Sequence, residues 1–157
     1  MKENTTKALK WIVEMLNEMK IPFQIGGGLA AIIYGVNRPL ADIDIALPNK
    51  YLPELYEKVK DHITHDLREY KDEKWSATGM TIKYEDQVID FVGAQGKKIF
   101  DEKTSSWINL ENDFSKSEFH EIAGIRVPVV PRNYLVSYKK ILLRDVDLED
   151  LKGLKEI

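Results

Sequence analysis

The stretch Phe23-Gln24-Ile25-Gly26-Gly27-Gly28-Leu29-Ala30-Ala31-Ile32-Ile33-Tyr34-Gly35, followed shortly by Asp42-Ile43-Asp44-Ile45-Ala46-Leu47, decides the fold. Phe23-Gln24-Ile25 is a short strand candidate, and the glycine triplet turns the chain directly into an apolar helix that Gly35 stops. Asp42–Leu47 reads as a second strand closed by Pro48. Strand interiors are poor in aspartate because an unpaired charge is costly to bury, yet this strand carries two. Side chains alternate along a strand, so Asp42 and Asp44 share one side while Ile43 and Ile45 point to the other.

Outward from this centre, Met80–Tyr84 and Val88–Val92 form a hairpin about a turn at Glu85-Asp86-Gln87. Asp90 lies between Ile89 and Phe91 and repeats the acid-between-apolars pattern. Before the centre, Leu9, Ile12, Val13, Leu16 and Met19 mark an amphipathic helix ended by Pro22. After it, Leu52, Leu55, Tyr56, Val59 and Ile63 predict a second one. Residues 97–118 read as a long polar surface excursion anchored by Trp107 and Ile108. A second hairpin turns at Ala123-Gly124, joining Phe119–Ile122 to Ile125–Val127. Pro131 opens a helix carrying Leu135, Tyr138, Ile141 and Leu142, and Asp147 caps a last short one. The expected class is α/β in the α+β sense, a small mixed sheet flanked by helices, with residues 1–157 as one domain.

The 157 residues suffice for a sizeable core, and 43% apolar with 31% charged residues is ordinary for a soluble globular chain. A net charge of −3 argues against a dedicated nucleic-acid binder. With no cysteine, disulfides and thiolate metal sites are excluded. Neither a secretion signal nor a run of ~20 apolar residues is visible, so a cytoplasmic location is expected.

Three carboxylates on neighbouring strands repel one another strongly in a partly dry cleft. A divalent cation relieves that repulsion, and an oxygen-only ligand set suits magnesium. The glycine turn exposes backbone N–H groups at a helix start, where phosphate oxygens bind well. Adjacent metal and phosphate sites are what phosphoryl transfer requires.

The sequence Ile25-Gly26-Gly27-Gly28-Leu29-Ala30, Gly35, Arg38, Asp42-Ile43-Asp44-Ile45 and Val88-Ile89-Asp90-Phe91 resembles the signature of the DNA polymerase β-type nucleotidyltransferase superfamily. It is most similar there to the minimal bacterial group of lincosamide and aminoglycoside nucleotidyltransferases. The tail from Pro131 through Leu135, Lys139-Lys140, Arg144-Asp145, Asp147 and Asp150-Leu151 looks like that group's closing helices. The resemblance implies a minimal nucleotidyltransferase fold and magnesium-dependent transfer of a nucleoside monophosphate from ATP or another nucleoside triphosphate to an acceptor hydroxyl, with release of pyrophosphate. Asp42 and Asp44 would bind two metal ions; Asp90 would be the third metal ligand, the general base, or both. Within Gly26-Gly27-Gly28 two alignments of the phosphate-holding pair are open, Gly27-Gly28 keeping Ala30 and Gly35 in step. Arg38 would contact phosphate, as would Lys139 and, more weakly, Arg144.

The implied acceptor is a small hydroxylated molecule, with a protein side chain or RNA end as other options; a second subunit could complete the cleft as a homodimer. A nucleotide- or partner-binding module without turnover, such as a toxin–antitoxin component, is the competing reading. His62, His65 and Asp66 read as a solvated helix end, Lys97-Lys98 as surface charge, and Lys139-Lys140 as surface charge edging the cleft. Trp11, Trp75 and Trp107 read as core or lid anchors.

Overall fold

The computed structural model describes residues 1–157 and contains five α-helices and one mixed nine-stranded sheet. In chain order these are α1 (Glu3–Glu18), β1 (Gln24–Gly26), α2 (Gly27–Ile33), β2 (Asp42–Leu47), α3 (Leu52–Val59), β3 (Ile63–Lys71), β4 (Trp75–Tyr84) and β5 (Gln87–Gly93). There follow β6 (Lys98–Asp101), β7 (Ser106–Asn109), β8 (Glu118–Ile122), β9 (Ile125–Val129), α4 (Arg132–Leu142) and α5 (Asp145–Gly153). The sheet runs β7-β6-β4-β5-β2-β1-β9-β8, and β3 also pairs with β4. Only β2 with β5 and β1 with β9 are parallel. No helix is long and apolar enough to cross a membrane.

Strand alternation separates the two faces of the central sheet. Ile25, Ile43, Ile45 and Ile89 are fully buried in a core of 33 residues that also takes Leu9, Ile12 and Leu16 from α1 and Leu55 and Val59 from α3. The opposite face keeps Asp42, Asp44 and Asp90, all partly exposed. The elements read around Ile25–Leu47 and the two hairpins are present, and the β2 bounds agree residue for residue.

Two expectations need correction. The second helix stops at Val59; a 3-10 turn spans Lys60–His62 and the chain then extends as β3. Ile63 therefore starts a strand, and His65 and Asp66 stand on that strand, not on a helix. The helical spacing of Val59 and Ile63 is overridden by antiparallel pairing of β3 with the long β4. Residues 97–118 are not an irregular excursion: Lys98–Asp101 and Ser106–Asn109 form a hairpin, with Phe100 opposite Trp107 and their rings edge-to-face at 5.3 Å.

The last two helices are fastened by a ladder of charges. Lys139 of α4, 2% exposed, lies 3.1 Å from Asp147 and 2.9 Å from Asp150 of α5. Arg144 holds Asp147 through Nε at 2.7 Å and NH2 at 3.0 Å. Arg38, from the α2–β2 connection, holds Asp150 through Nε at 2.6 Å and NH2 at 2.9 Å. Asp147 is thus the third residue of α5, and its carboxylate also accepts the backbone N–H of Arg144. Burial alone would raise both aspartates, but the hydrogen bonds and charges of Arg144, Lys139 and Arg38 hold them below the usual range.

Because their folded values are depressed, the unfolded chain takes up protons first on acidification. The ladder's contribution is full above about pH 4 and is lost as pH falls further. Asp150→Asn should cost ~3 kcal/mol at pH 7, lowering Tm by roughly 6–12 °C. In scanning calorimetry this gap to the wild type should narrow as pH falls below about 4; a constant gap would mean that the ion pairs are not its source.

Candidate active site

Strand register assembles the site. Gly26 is paired with Asp44, Asp44 with Asp90, and Asp90 with Thr81, so four neighbouring strands contribute one row across the sheet. Thr81 donates its hydroxyl proton to Asp90 Oδ1 at 2.5 Å, which fixes that carboxylate and leaves Oδ2 for other partners. The next row on the same face, two residues along, contains Gln24, Ala46, Val92 and Gly79. Above these rows α4 and α5 close a cleft of about 560 Å³ that includes Gly26–Gly28, all three acids, Arg38, Lys139 and Arg144.

Burial, then the neighbouring Asp90 and Asp42 charges, push the Asp44 carboxyl up to about 7, although Lys139 and Arg144 pull the other way. Asp42 is raised by burial and by Asp90. The charge of Asp90 thus opposes ionisation of both, and the three side chains offer the hard oxygens that a divalent cation prefers. That chemistry fits magnesium. As the side chains stand, no three of them form a closed coordination group, so a cation would have to draw them together.

The glycine turn is shaped by the same acid. Gly26 is extended, Gly27 has φ +55°, and a methyl group added at Gly27 would collide with the Asp44 carboxylate. At Gly28 an added Cβ would come within 2.8 Å of the Arg38 guanidinium. The triplet therefore lets backbone approach both the Asp44 carboxylate and the Arg38 guanidinium.

The residues expected from sequence divide by surroundings. Asp42, Asp44, Asp90 and the three glycines meet in one cleft. Arg38 and Lys139 line it too, but both already serve Asp150, and Lys139 is buried, not at the surface. Lys97 also departs from the surface reading, being 5% exposed. Sequence reasoning missed Thr81, whose alternation with Gly79 on β4 is the one available signal, and Tyr134 and Tyr138, which form a cleft wall but look like helix core. Trp75 stands on that wall, edge-on to Tyr138 at 6.2 Å.

The sequence profile of a family described as aminoglycoside-2''-adenylyltransferase matches residues 8–154. The chain belongs to the aminoglycoside-2''-adenylyltransferase family. It is an enzyme of the nucleotidyltransferase class. Solved structures share its fold. A protein from Thermotoga maritima classed as a nucleotidyltransferase superposes with TM-score 0.75 at 20% identity, over 100% of this chain and 96% of that one. The lincosamide antibiotic adenylyltransferase LnuA, in its lincomycin-bound form, gives 0.64 at 16%, covering 95% of each chain. ANT(2'')-Ia in complex with adenylyl-2''-tobramycin gives 0.65 at 20%, over 96% of this chain and 87% of that one. No curated protein matches the chain significantly.

The fold opposes the charge of Asp44 through burial and through the neighbouring Asp90 and Asp42. Its folded value is raised, so the penalty begins as the unfolded form ionises near pH 4 and is complete above pH 7. In metal-free buffer, Asp44→Asn should therefore melt several degrees above the wild type at pH 8, with no advantage at pH 4. Gly27→Ala, by displacing Asp44 and straining a positive φ, should melt lower at both.

Proposed function

We propose that this enzyme transfers a nucleoside monophosphate, AMP foremost, from the triphosphate to a hydroxyl of a small molecule, releasing pyrophosphate. The single observation that carries the reading is the row Gly26–Asp44–Asp90–Thr81, which sets an amide-lined turn beside acids that resist joint ionisation. Magnesium, when bound, supplies charge neutralisation for the polyphosphate and for the acids. Asp42 and Asp44 would hold it, and the amides of Gly27 and Gly28 would bind the triphosphate. Asp90, oriented by Thr81, completes the metal site or takes the acceptor proton. The acceptor oxygen attacks the α-phosphorus, the bond to the pyrophosphate oxygen breaks, and the acceptor proton passes to the Asp90 carboxylate.

A cleft of this volume and its aromatic wall of Trp75, Tyr134 and Tyr138 suit a compact organic acceptor better than a polymer. Names among the family and its neighbours, aminoglycoside and lincosamide, support antibiotics as the first acceptors to try. Turnover is favoured over a binding-only module by the third acid, which nucleotide binding alone does not need.

ATP at a hundredfold excess over its Kd should stabilise the protein by ~2.7 kcal/mol with magnesium and much less in chelator. Pyrophosphate release should appear with an aminoglycoside or lincosamide and fall at least 100-fold in Asp90→Asn, while ATP stabilisation of that variant persists. Release that survives in Asp90→Asn would remove this residue from the chemistry. Stabilisation by ATP with no release from any acceptor would favour the binding module.

A further inference from the structure

Lys97 is the cation in the cleft whose burial nothing else explains. Its side chain is almost wholly enclosed, yet its ammonium has one hydrogen-bond partner, the neutral Asn112 Oδ1 at 2.6 Å. The other enclosed lysine, Lys139, touches two carboxylates; Lys97 touches none. A lysine ammonium has three protons to donate, so two are uncommitted here. Burial pushes it down to about 8, opposed by the charge of Asp44. A purely structural residue at such a place would be more stable as a hydrocarbon of similar volume.

The position of Lys97 is held rigidly. Asn112 Nδ2 donates to Gln24 Oε1 at 2.9 Å, and Gln24 Nε2 donates in turn to Ser117 Oγ at 2.9 Å and to the Asp113 carbonyl at 3.0 Å. Gln24 is in register with Ala46, two residues along the strands from Gly26 and Asp44 and on the same face. That step is roughly 7 Å, a span that a polyphosphate covers. The ring of Tyr134 lies 5.6 Å from the ammonium on one side, and Lys97 lines the same cleft as the acids.

We infer that Lys97 is a phosphate-binding residue, donating its two free N–H bonds to phosphate oxygens of the polyphosphate held between the glycine turn and the cleft floor. The inference rests on the nucleotidyl-transfer reading and adds to it the group that receives the negative charge set free when pyrophosphate leaves. A charge-assisted hydrogen bond in such surroundings is worth roughly a 10- to 100-fold change in affinity.

The experiment titrates inorganic pyrophosphate and AMP, each with magnesium, into the wild type, Lys97→Met and Lys97→Gln, with Tm recorded for all three. Both variants should bind pyrophosphate 10- to 100-fold more weakly while melting no lower than the wild type. A purely structural lysine would leave affinity for both ligands unmoved, whatever the change in Tm. Loss confined to pyrophosphate assigns the contact to the leaving group; loss for both ligands assigns it to the transferred phosphate as well. Unchanged affinity for both overturns the proposal, as does full affinity in Lys97→Gln, which would make hydrogen bonding to Asn112 the whole role. A wild type that binds neither ligand brings down the nucleotidyl-transfer reading, and this inference with it.

Discussion

Parallel pairing of β2 with β5 places Asp44 directly beside Asp90, and the rest of the cleft answers to that juxtaposition. Two carboxylates side by side at the edge of a core cannot both ionise cheaply. The strands pay for it through their other faces, where Ile43, Ile45, Ile89 and Phe91 are sealed into the core. Register is therefore locked from behind: a slip of one residue would drive the acids into the apolar layer and the isoleucines into water. The unfavourable electrostatics persist because hydrophobic burial outweighs them.

The charge ladder supplies the counterweight from above. Three cations share two aspartates, so the α4–α5 roof retains positive charge over the acidic floor. Lys139 and Arg144 act on Asp44 across the cleft without forming an ion pair to it. This explains how two residues can be occupied structurally and still shape the site. Each aspartate of the ladder has two cationic partners, which satisfies its oxygens and makes its burial tolerable.

Much of this was legible in the sequence where burial imposes a period. The alternation Asp42-Ile43-Asp44-Ile45 and Val88-Ile89-Asp90-Phe91 announces one wet face and one dry face, and both strands lie as read. Where burial is shallow the signal fails. β3 exposes His65, Asp66, Arg68 and Glu69, so it has no clean alternation, and the spacing of Val59 and Ile63 reads as helix at its start. The β6–β7 hairpin is short and polar for the same reason. Long-range pairing hid the rest of the site: nothing near Arg38 in sequence points to Asp150, and nothing in Lys97-Lys98 says that one lysine turns inward to Asn112 while its neighbour faces solvent.

The reach of Arg38 to Asp150 has a consequence for biosynthesis. The glycine turn and all three acids are translated well before α5, but the guanidinium beside Gly28 has its carboxylate partner only when residue 150 has left the ribosome. Domains fold as units as they emerge. A chain that has not yet gained residues 145–153 thus holds its three acids without the carboxylates that anchor Arg38 and Lys139 over them.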